Sequence, residues 1–249
     1  MHTTDEQLAQ ASAEVVLKWA LAEFGNRVKL ASSFGAEDVV LIDILRGLTS
    51  TPRVFFLDTG RLHQETYDVV DRIRSRYGIE IETYYPRTDA VQGLVQSKGA
   101  NSFYESVENR KECCRVRKVE PLARALGDVD AWITGLRRSQ SQTRTELAKV
   151  ETDHAHGIVK INPLADWTED QVWDYIRAHD VPYNKLHEMG FPSIGCAPCT
   201  RAIQPGEDLR AGRWWWESPE HKECGLHITN GVVTKGRKMP ASSEEVVRR

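Results

Sequence analysis

The sequence predicts an α/β fold in which a mostly parallel sheet is flanked by helices. Short apolar runs of strand length alternate along the chain with longer amphipathic segments of helical period. Small polar residues and glycine follow the first strands, where a strand would turn into a helix. Alternating units of this kind favour parallel strands joined by right-handed crossovers.

The first two strand–loop–helix units have the clearest pattern. Residues 27–45 are predicted to form a short apolar strand, a Ser/Gly turn and a helix with apolar residues at helical spacing. In the second unit residues 54–57 form the strand and residues 63–77 the helix, whose apolar side chains share one face. Gly78 is expected to end this helix, because glycine adopts the left-handed conformation at little cost.

The rest of the chain carries weaker signals of the same kind. Thr168 and Gln171 have the spacing of a capping box, and the helix that they open is expected to run to about His179. The further predicted elements are strands at 80–84, 131–134 and 158–161 and helices around 90–96 and 113–126. After Pro182 the periodicity weakens, so we expect residues 182–249 to lie over the core as an extended C-terminal region.

Composition limits the function classes. With 249 residues, 40% apolar residues, 28% charged residues and a formal net charge of -3, the chain is typical of a globular protein and not of a nucleic-acid binder. No apolar run approaches the roughly 20 residues that span a bilayer, and residues 1–10 resemble neither a secretory signal nor a transit peptide. We therefore expect a cytoplasmic protein without nucleic-acid or membrane partners. Its expected domains are an α/β domain at 1–209 and a C-terminal tail at 210–249. The sequence does not determine whether the protein forms a homo-oligomer.

Ser32, Ser33 and Gly35 follow the first strand and are candidates for an anion-binding loop. In an open α/β sheet, ligands collect at the carboxyl ends of the strands, where backbone N–H groups and helix N-termini face the crevice. The loop matches neither the dinucleotide pattern G-x-G-x-x-G nor the Walker A pattern. Taken alone, it fits a phosphate site or an ordinary strand–helix turn.

Two further loops should reach the same edge of the sheet. They contain Leu57, Asp58 and Thr59 after the second strand, and Arg137 and Arg138 after a later strand. Arginine at such a place can bind phosphate or sulfate through two hydrogen bonds, although a surface salt bridge is the alternative for either residue. Three loops on one edge together favour a site for an anionic nucleotide.

Four of the five cysteines form two close pairs, Cys113-Cys114 and Cys196-Ala-Pro-Cys199. Four thiolates suit a tetrahedral zinc ion or an iron–sulfur cluster, since both prefer soft ligands. Zinc sites usually space the cysteines of each half by about two to four residues, whereas adjacent sulfurs diverge and favour a larger cluster. Buried free cysteines together with an unrelated redox pair are the remaining interpretation.

Cys224 is left without a pair. It lies between Lys222 and His227 in a polar stretch, and Gly225 beside it permits close approach of another molecule. Nearby cations favour the thiolate, which is the nucleophilic form of cysteine. From these residues, Cys224 is either an inert thiol or a catalytic nucleophile.

Together these features resemble the phosphoadenylyl- and adenylyl-sulfate reductase family, whose members have a Rossmann-like, adenine nucleotide α-hydrolase-like fold. The resemblance runs from about residue 28 to residue 227 and is carried by Ser32-Ser-Phe-Gly-Ala-Glu-Asp, Leu57-Asp-Thr-Gly and Glu223-Cys-Gly-Leu-His. Members with both cysteine pairs carry a [4Fe–4S] cluster and typically use adenosine 5′-phosphosulfate, whereas members without them use the 3′-phosphorylated nucleotide. The resemblance therefore implies the assimilatory, thioredoxin-dependent branch, which serves sulfate assimilation and cysteine biosynthesis.

The resemblance also implies roles for individual residues. The four paired cysteines would hold the cluster. Cys224 would attack the sulfur of adenosine 5′-phosphosulfate, expel AMP and carry an S-sulfonate that thioredoxin releases as sulfite. Lys118 would lie between cluster and substrate, and Arg210, Arg213 and His227 would bind the substrate. Because the sequence ends shortly after the Cys224 motif, a separate thioredoxin is the expected electron donor.

Several alternatives remain at this level. The first is a reductase that uses 3′-phosphoadenosine 5′-phosphosulfate or both nucleotides. The others are a zinc-stabilised nucleotide-binding module and an ATP pyrophosphatase of the same fold. Because Cys224 would have to reach first a sheltered nucleotide and then a partner protein, residues 210–249 are expected to move as a lid.

Overall fold

A mostly parallel sheet organises the protein. The computed structural model describes residues 5–140 and 146–218. The strands in these residues are β1 (Val28–Ala31), β2 (Val54–Leu57), β3 (Ile81–Tyr84), β4 (Ala131–Ile133), β5 (Val150–Asp153) and β6 (Ile158–Ile161). They form a six-stranded sheet in the order β3-β2-β1-β4-β6-β5, in which only the β5–β6 pair is antiparallel. The predicted α/β class is confirmed.

Strand β5 is the one described strand without a clear signal in the sequence. It lies at the edge of the sheet and pairs only with β6. Its short segment includes Glu151 and Asp153, and most of it is only half-buried. An edge strand needs no continuous apolar run, so its residues resemble a loop when the sequence is viewed alone.

Helices cover the sheet on its two faces. They are α1 (Asp5–Gln10), α2 (Ala13–Phe24), α3 (Ala36–Leu48), α4 (Gln64–Tyr77), α5 (Thr88–Lys98), α6 (Val107–Cys114), α7 (Glu120–Ala125) and α8 (Glu169–Ala178). The predicted capping box of α8 is present, since the Thr168 hydroxyl accepts from Gln171 N and the Gln171 side chain accepts from Thr168 N. Gly78 ends α4 in the left-handed conformation, as predicted.

Helices α1 and α2 are not among the predicted elements. Helix α2 begins at a clear signal, because the Ser12 hydroxyl accepts a hydrogen bond from Val15 N at 3.3 Å. Its buried residues Val16, Leu17 and Ala20 face the core. The polar start of the chain hides this apolar stripe, which belongs to the covering layer and not to a strand–loop–helix unit.

The predicted helix at 113–126 is longer and interrupted. It begins as α6 after Ser106, whose hydroxyl accepts from Asn109 N, and it continues as α7. Between the two lies a π-helical turn, Arg115–Val119. Such turns are rare and occur frequently at functional sites. This one follows Cys114 directly and contains Lys118.

Short 3₁₀ turns complete the described secondary structure. They are Gly25–Arg27, Ser102–Tyr104, Arg138–Gln140, Lys185–Met189 and Ala197–Cys199. The last two lie in the region after Pro182, which is irregular as expected. This region folds back on itself through a bridge between Thr200 and Arg213, and the side chain of Trp214 is 1% exposed. The described part of the C-terminal region is therefore packed against the body of the protein.

Both faces of the sheet are buried. Phe56 belongs to the main core, with α3 residues such as Val39 and Ile42, whereas its neighbour Phe55 belongs to a second cluster with Leu122 and Trp132. Successive side chains of a strand point to opposite faces, so two covered faces require apolar residues at consecutive positions. This requirement explains the uninterrupted apolar run of β2. Within the described residues, no helix combines the length and the apolar composition needed to cross a membrane.

Lys29 is a fully buried cation within β1. Its Nζ lies 2.8 Å from Glu82 and 2.7 Å from Asp128, and it also donates to Tyr84 Oη and to the carbonyl of Ala125. Burial alone would lower the pKa of Lys29, but these hydrogen bonds outweigh burial and raise the pKa. The ammonium group therefore connects β1, β3 and the segment before β4.

We predict that Lys29→Ala lowers the free energy of unfolding by about 3 kcal/mol, because it removes the shared partner of two acidic side chains and of a buried carbonyl. Lys18→Ala is the matched control, since Lys18 forms an exposed pair with Glu14 and its loss should cost less than about 1 kcal/mol. Urea unfolding of both variants measures the difference. Equal effects would show that the Lys29 network does not stabilise the sheet.

Candidate functional site

A cavity of about 580 Å³ opens at the carboxyl ends of β1, β2 and β4. Its volume lies in the range of small-molecule and cofactor sites. Loops after these strands form one side of it, and the region after Pro182 forms the other. The cavity thus occupies the place where ligands bind in open α/β sheets.

The first predicted loop lines this cavity through Ser32, Ser33 and Gly35. Asp38, in the first turn of α3, holds the loop in shape: Ser33 N and Ser33 Oγ donate to Asp38 Oδ2 at 2.6 and 2.8 Å. Phe34 has a positive φ of 58°, an uncommon conformation for a residue with a side chain. Its ring is fully buried, so core packing holds the loop in this conformation.

Asp38 is a site residue that the sequence prediction does not include. Burial raises the pKa of Asp38 to about 6, although the hydrogen bonds from Ser33 act in the opposite direction. Gly135, after β4, passes so close that a Cβ atom at that position would overlap the Asp38 carboxylate. Asp38 therefore joins the first and third loops. Its place within the Ser32–Asp38 motif was the available signal.

The second loop divides into lining and supporting residues. Leu57 and Thr59 line the cavity. Asp58 is not among the described lining residues; it is buried and accepts hydrogen bonds from Gly60 N at 2.8 Å and from Tyr67 Oη at 2.9 Å. The structure therefore assigns Asp58 to the support of the loop.

The third loop likewise separates its two arginines. Arg137 lines the cavity, but its Nε donates to Glu37 at 2.8 Å and its Nη1 to Ser139 Oγ at 2.7 Å. Arg138 is not among the described residues that line the cavity, and its Nε donates to the carbonyl of Leu147. Arg137 thus stays a candidate contact, whereas Arg138 lies away from the cavity.

Three further predicted cations border the cavity from other elements. Lys118 comes from the π-helical turn, and Arg210 and Arg213 come from the C-terminal region. Arg213 is buried and donates to Ser193 Oγ and to the carbonyl of Ile194, each at 3.3 Å. A Cβ atom on Gly195 would lie 2.5 Å from Arg213 Nη2, so glycine at this position leaves room for the guanidinium group.

The sequence analysis did not identify the segment before Cys196, which contacts the guanidinium group of Arg213. Pro192, Ser193 and Gly195 line the cavity immediately before Cys196, and His187 and Trp173 line it nearby. Burial lowers the pKa of His187, so its imidazole favours the neutral form. No helical or strand period marks this segment. Its position directly before the second cysteine pair was the only available signal.

All four paired cysteines line a second, much smaller cavity. Cys113 and Cys114 end α6, Cys196 precedes the 3₁₀ turn at 197–199, and Cys199 ends it. The other residues around this cavity are cationic or apolar: Arg61, Phe103, Arg110, Arg117, Lys118, Pro198 and Trp214. The predicted pairing of the two cysteine segments in one site is therefore present.

Four thiols line the small cavity, and thiolates are ligands that soft metal ions prefer. Among the described residues, no three cysteine, histidine or acidic side chains are grouped so that they could bind one metal ion. A zinc site requires ligands about 2.0–2.3 Å from one centre. Burial raises the pKa of Cys199 to about 12 and also raises that of Cys113, while Lys118 and Arg117 respectively act against these increases. Ionised thiols at this site would therefore depend on the surrounding cations or on a metal group.

The two cavities share Lys118, which lines both. Thr59 provides a second connection, since it lines the large cavity and its Oγ1 lies 3.3 Å from Cys196 Sγ. The remaining predicted residues, Cys224 and His227, lie outside the described residues. The described site therefore consists of a cavity of about 580 Å³ next to a small cavity lined by four thiols.

A sequence profile of the phosphoadenosine phosphosulfate reductase domain matches residues 27–202. An adenosine 5′-phosphosulfate reductase of Burkholderia cepacia is 60% identical, with 90% of this chain and 89% of that protein covered. The enzyme of the same name from Allochromatium vinosum is 53% identical, with 90% and 88% covered.

A solved structure gives the same assignment for the fold. The phosphoadenylyl-sulfate reductase of Candida auris, crystallised as a phosphate complex, superposes with a TM-score of 0.68 at 32% identity, covering 80% of this chain and 94% of that one. The predicted adenine nucleotide α-hydrolase-like fold is therefore confirmed.

We predict that Gly195→Ala weakens AMP binding by about tenfold, because the added methyl group must displace the guanidinium group of Arg213 from the cavity wall. Gly47→Ala in α3 is the control, since a Cβ atom there meets nothing within 4 Å. Isothermal titration calorimetry measures both affinities, and urea unfolding checks stability. Unchanged AMP affinity in the Gly195 variant would exclude a role of Arg213 in binding.

Proposed function

The chain belongs to the phosphoadenosine phosphosulfate reductase domain family, and we propose that its large cavity binds adenosine 5′-phosphosulfate for attack by Cys224. The protein reduces adenosine 5′-phosphosulfate to sulfite and AMP in sulfate assimilation. Its relatives carry this activity in their names at 60% and 53% identity over nine-tenths of the chain.

The observation that carries the detailed proposal is the position of Lys118 between the two cavities. The substrate has a phosphate and a sulfate group, and both are negatively charged. A cation that borders the nucleotide cavity and the thiol-lined cavity can stabilise the sulfate end of the substrate and the thiolates together. Arg210 and Arg213 supply further positive charge at the wall of the large cavity.

The nucleotide would lie across the loops at the sheet edge. The backbone N–H groups of Ser32, Ser33 and Phe34 already donate within the protein, so the loop contributes mainly its shape and the positive end of the α3 dipole to the binding of an anionic oxygen. Arg137 Nε and Nη1 already donate to Glu37 and Ser139, so this guanidinium group would not bind the nucleotide through its whole fork. The apolar residues around the cavity, including Phe55, Leu57 and Val172, can cover the adenine ring.

Cys224 supplies the nucleophile in this proposal. Its thiolate attacks the sulfur atom of the bound nucleotide, a bond forms between Cys224 Sγ and that sulfur, and the bond to the bridging phosphate oxygen breaks. AMP leaves with the bonding electron pair. Cys224 then carries an S-sulfonate, and the cations around the cavity stabilise the negative charge on both products. His227 would lie beside this step as a further substrate contact.

Thioredoxin would complete the cycle. One of its thiolates attacks Cys224 Sγ, sulfite leaves with the electron pair of the sulfur–sulfur bond, and a mixed disulfide remains. The second thioredoxin thiol breaks this disulfide, restoring the Cys224 thiol and leaving oxidised thioredoxin. Both electrons that reduce the sulfur therefore come from the dithiol. A reducing compartment such as the cytoplasm suits this chemistry.

Cys113, Cys114, Cys196 and Cys199 would hold a [4Fe–4S] cluster. The adjacent pair, the soft donors and the absence of a single-ion centre among the described residues support this choice over zinc. When bound, the cluster supplies fixed structural and electrostatic support beside the sulfate and needs no change of oxidation state. Arg61, Arg117 and Lys118 offset the charge of the four thiolates.

We predict that protein mixed with adenosine 5′-phosphosulfate in the absence of reductant gains the mass of one sulfonate group on Cys224. Thioredoxin should remove this mass and release one equivalent of sulfite. Peptide mass spectrometry locates the modification, and Cys224→Ser is the control that should neither gain the mass nor turn over. A sulfonate on another residue, or turnover by the serine variant, would contradict the mechanism.

We predict about four iron and four sulfide ions per chain after anaerobic purification, since four thiolates suit a cubane cluster. Cys199→Ser should lose most of the iron, whereas Cys224→Ser should keep all of it. Colorimetric iron and sulfide analysis with the visible absorption spectrum provides the measurement. One zinc ion per chain without sulfide would instead support the structural zinc module.

A further inference from the structure

Arg110 is the most deeply buried arginine among the described residues, with 1% of its surface exposed. It lies in α6, one helical turn before Cys114. Its guanidinium group forms a bidentate ion pair with Glu217, with Nε and Nη2 at 2.9 and 2.8 Å from the two carboxylate oxygens. The side chains of both partners are almost completely inaccessible, at 1% and 3%.

The same guanidinium group contacts two further parts of the molecule. It lies over the ring of Trp214 at 4.7 Å from the ring centroid, and it hydrogen bonds to the thiol of Cys114. Arg110 therefore joins a metal-ligand candidate on α6 to two residues of the C-terminal region. We refer to Arg110, Trp214 and Glu217 as the clasp.

The clasp holds a short piece of chain that backbone bonds also fix. Trp214 N donates to the carbonyl of Cys199, and Glu217 N donates to the carbonyl of Trp214. Residues 213–217 are thus attached to both cysteine segments, through Arg110 on α6 and through Cys199 on the 3₁₀ turn. This piece is the root from which the chain continues to Cys224.

The position of residues 213–217 matters because they lie only a few residues before Cys224 in the chain. Glu217 and Cys224 are seven residues apart. A segment of this length spans at most about 25 Å when fully extended. Cys224 must therefore lie within about 25 Å of Glu217. If residues 213–217 moved, the range of positions that Cys224 can reach would move with them.

A buried ion pair holds two segments together at a cost in free energy, because both charged groups lose their hydration. Well-packed apolar side chains of similar volume often stabilise a protein as well or better. A guanidinium group adds direction, because it donates two hydrogen bonds to a carboxylate in one plane while its face stacks on an aromatic ring. The ion pair and ring contact of the clasp therefore fix the orientation of residues 213–217 more than they increase the stability of the protein.

We propose that the clasp is a positioning device for Cys224: it fixes residues 213–217 to the thiol-lined site and so sets the point from which the chain continues to Cys224. Arg110 and Glu217 are positioning residues and touch neither substrate nor reacting atoms. Residues 213–217 belong to the stretch 210–249 that the sequence predicts to move as a lid, and that movement stays a prediction. This proposal rests on the proposed function of Cys224.

The test uses Glu217→Gln in the full chain with its metal group as purified. Glutamine keeps the size of the side chain but loses the charge, so the carboxylate grip on Arg110 is weakened. Glu217→Asp keeps the charge and shortens the reach, and it serves as the second variant if the glutamine protein fails to fold. The matched control is Glu120→Gln, which removes the carboxylate of a bidentate but exposed pair with Arg124.

The first measurement does not depend on activity. Hydrogen exchange at the amides of Trp214 and Glu217 should become at least about tenfold faster in Glu217→Gln, while iron content and the exchange of β1 and β2 stay unchanged. The control variant should leave all these values as they are. Unchanged exchange at the root in a folded variant would overturn the clasp.

The second measurement concerns the rate of Cys224 sulfonation in a single turnover. We expect a loss of about 10- to 100-fold in Glu217→Gln, because misplacing a reacting group by about 1 Å costs on this order, with nucleotide affinity changed less than about threefold. An unchanged rate with a loosened root would overturn the positioning role, as would a loss that appears only in affinity. If the wild-type protein formed no sulfonate, the proposed function would fail, while the exchange measurement would still decide whether the root is anchored.

Discussion

The site depends on bringing four thiols from two distant pieces of chain to one buried cavity. Cys113 and Cys114 arrive at the end of α6, and Cys196 and Cys199 flank a 3₁₀ turn in the irregular C-terminal region. Burial and mutual repulsion both oppose ionisation of these thiols, as the raised pKa of Cys199 indicates. The surrounding cations act in the opposite direction, because positive charge favours the thiolate. One of them, Lys118, is carried by the π-helical turn to the border of the nucleotide cavity.

Three carboxylates at or near the large cavity support the loops and one cation around it. Asp38 holds the backbone and hydroxyl of Ser33, Glu37 holds Arg137, and Asp58 holds its own loop through Gly60 and Tyr67. Each carboxylate is engaged with a protein partner. A site for a doubly anionic substrate can tolerate these groups because Arg137 pairs with Glu37, because burial raises the pKa of Asp38, and because Lys118, Arg210 and Arg213 also line the cavity.

The two sides of the cavity have different origins in the fold. Regular strand–loop–helix units form one side, and their positions follow from the sheet. The other side is the region after Pro182, which has short turns and little regular structure. It is kept in place by tertiary contacts such as the hydrogen bond from Ala197 N to the carbonyl of Arg61 and the buried ring of Trp214. The binding side chains of this region therefore depend on contacts with the sheet half, and the clasp at Arg110 is one of them.

The sequence alone determined the features that local pattern encodes. Apolar runs and helical periods placed β1, β2, β3, β4 and β6, and the capping box placed the start of α8. The motifs around the cysteines indicated the family. Edge strand β5 and helices α1 and α2 were not predicted, because an edge strand and a covering helix can form with a less regular pattern of apolar residues. The tertiary structure alone decided which loop residues face the cavity: Arg137 lines it and Arg138 does not, Asp58 is a support, and Asp38 joins two loops. The physical reason is that the direction of a loop side chain is set by close approach of segments far apart in the chain, and that information is absent from any local pattern of residues.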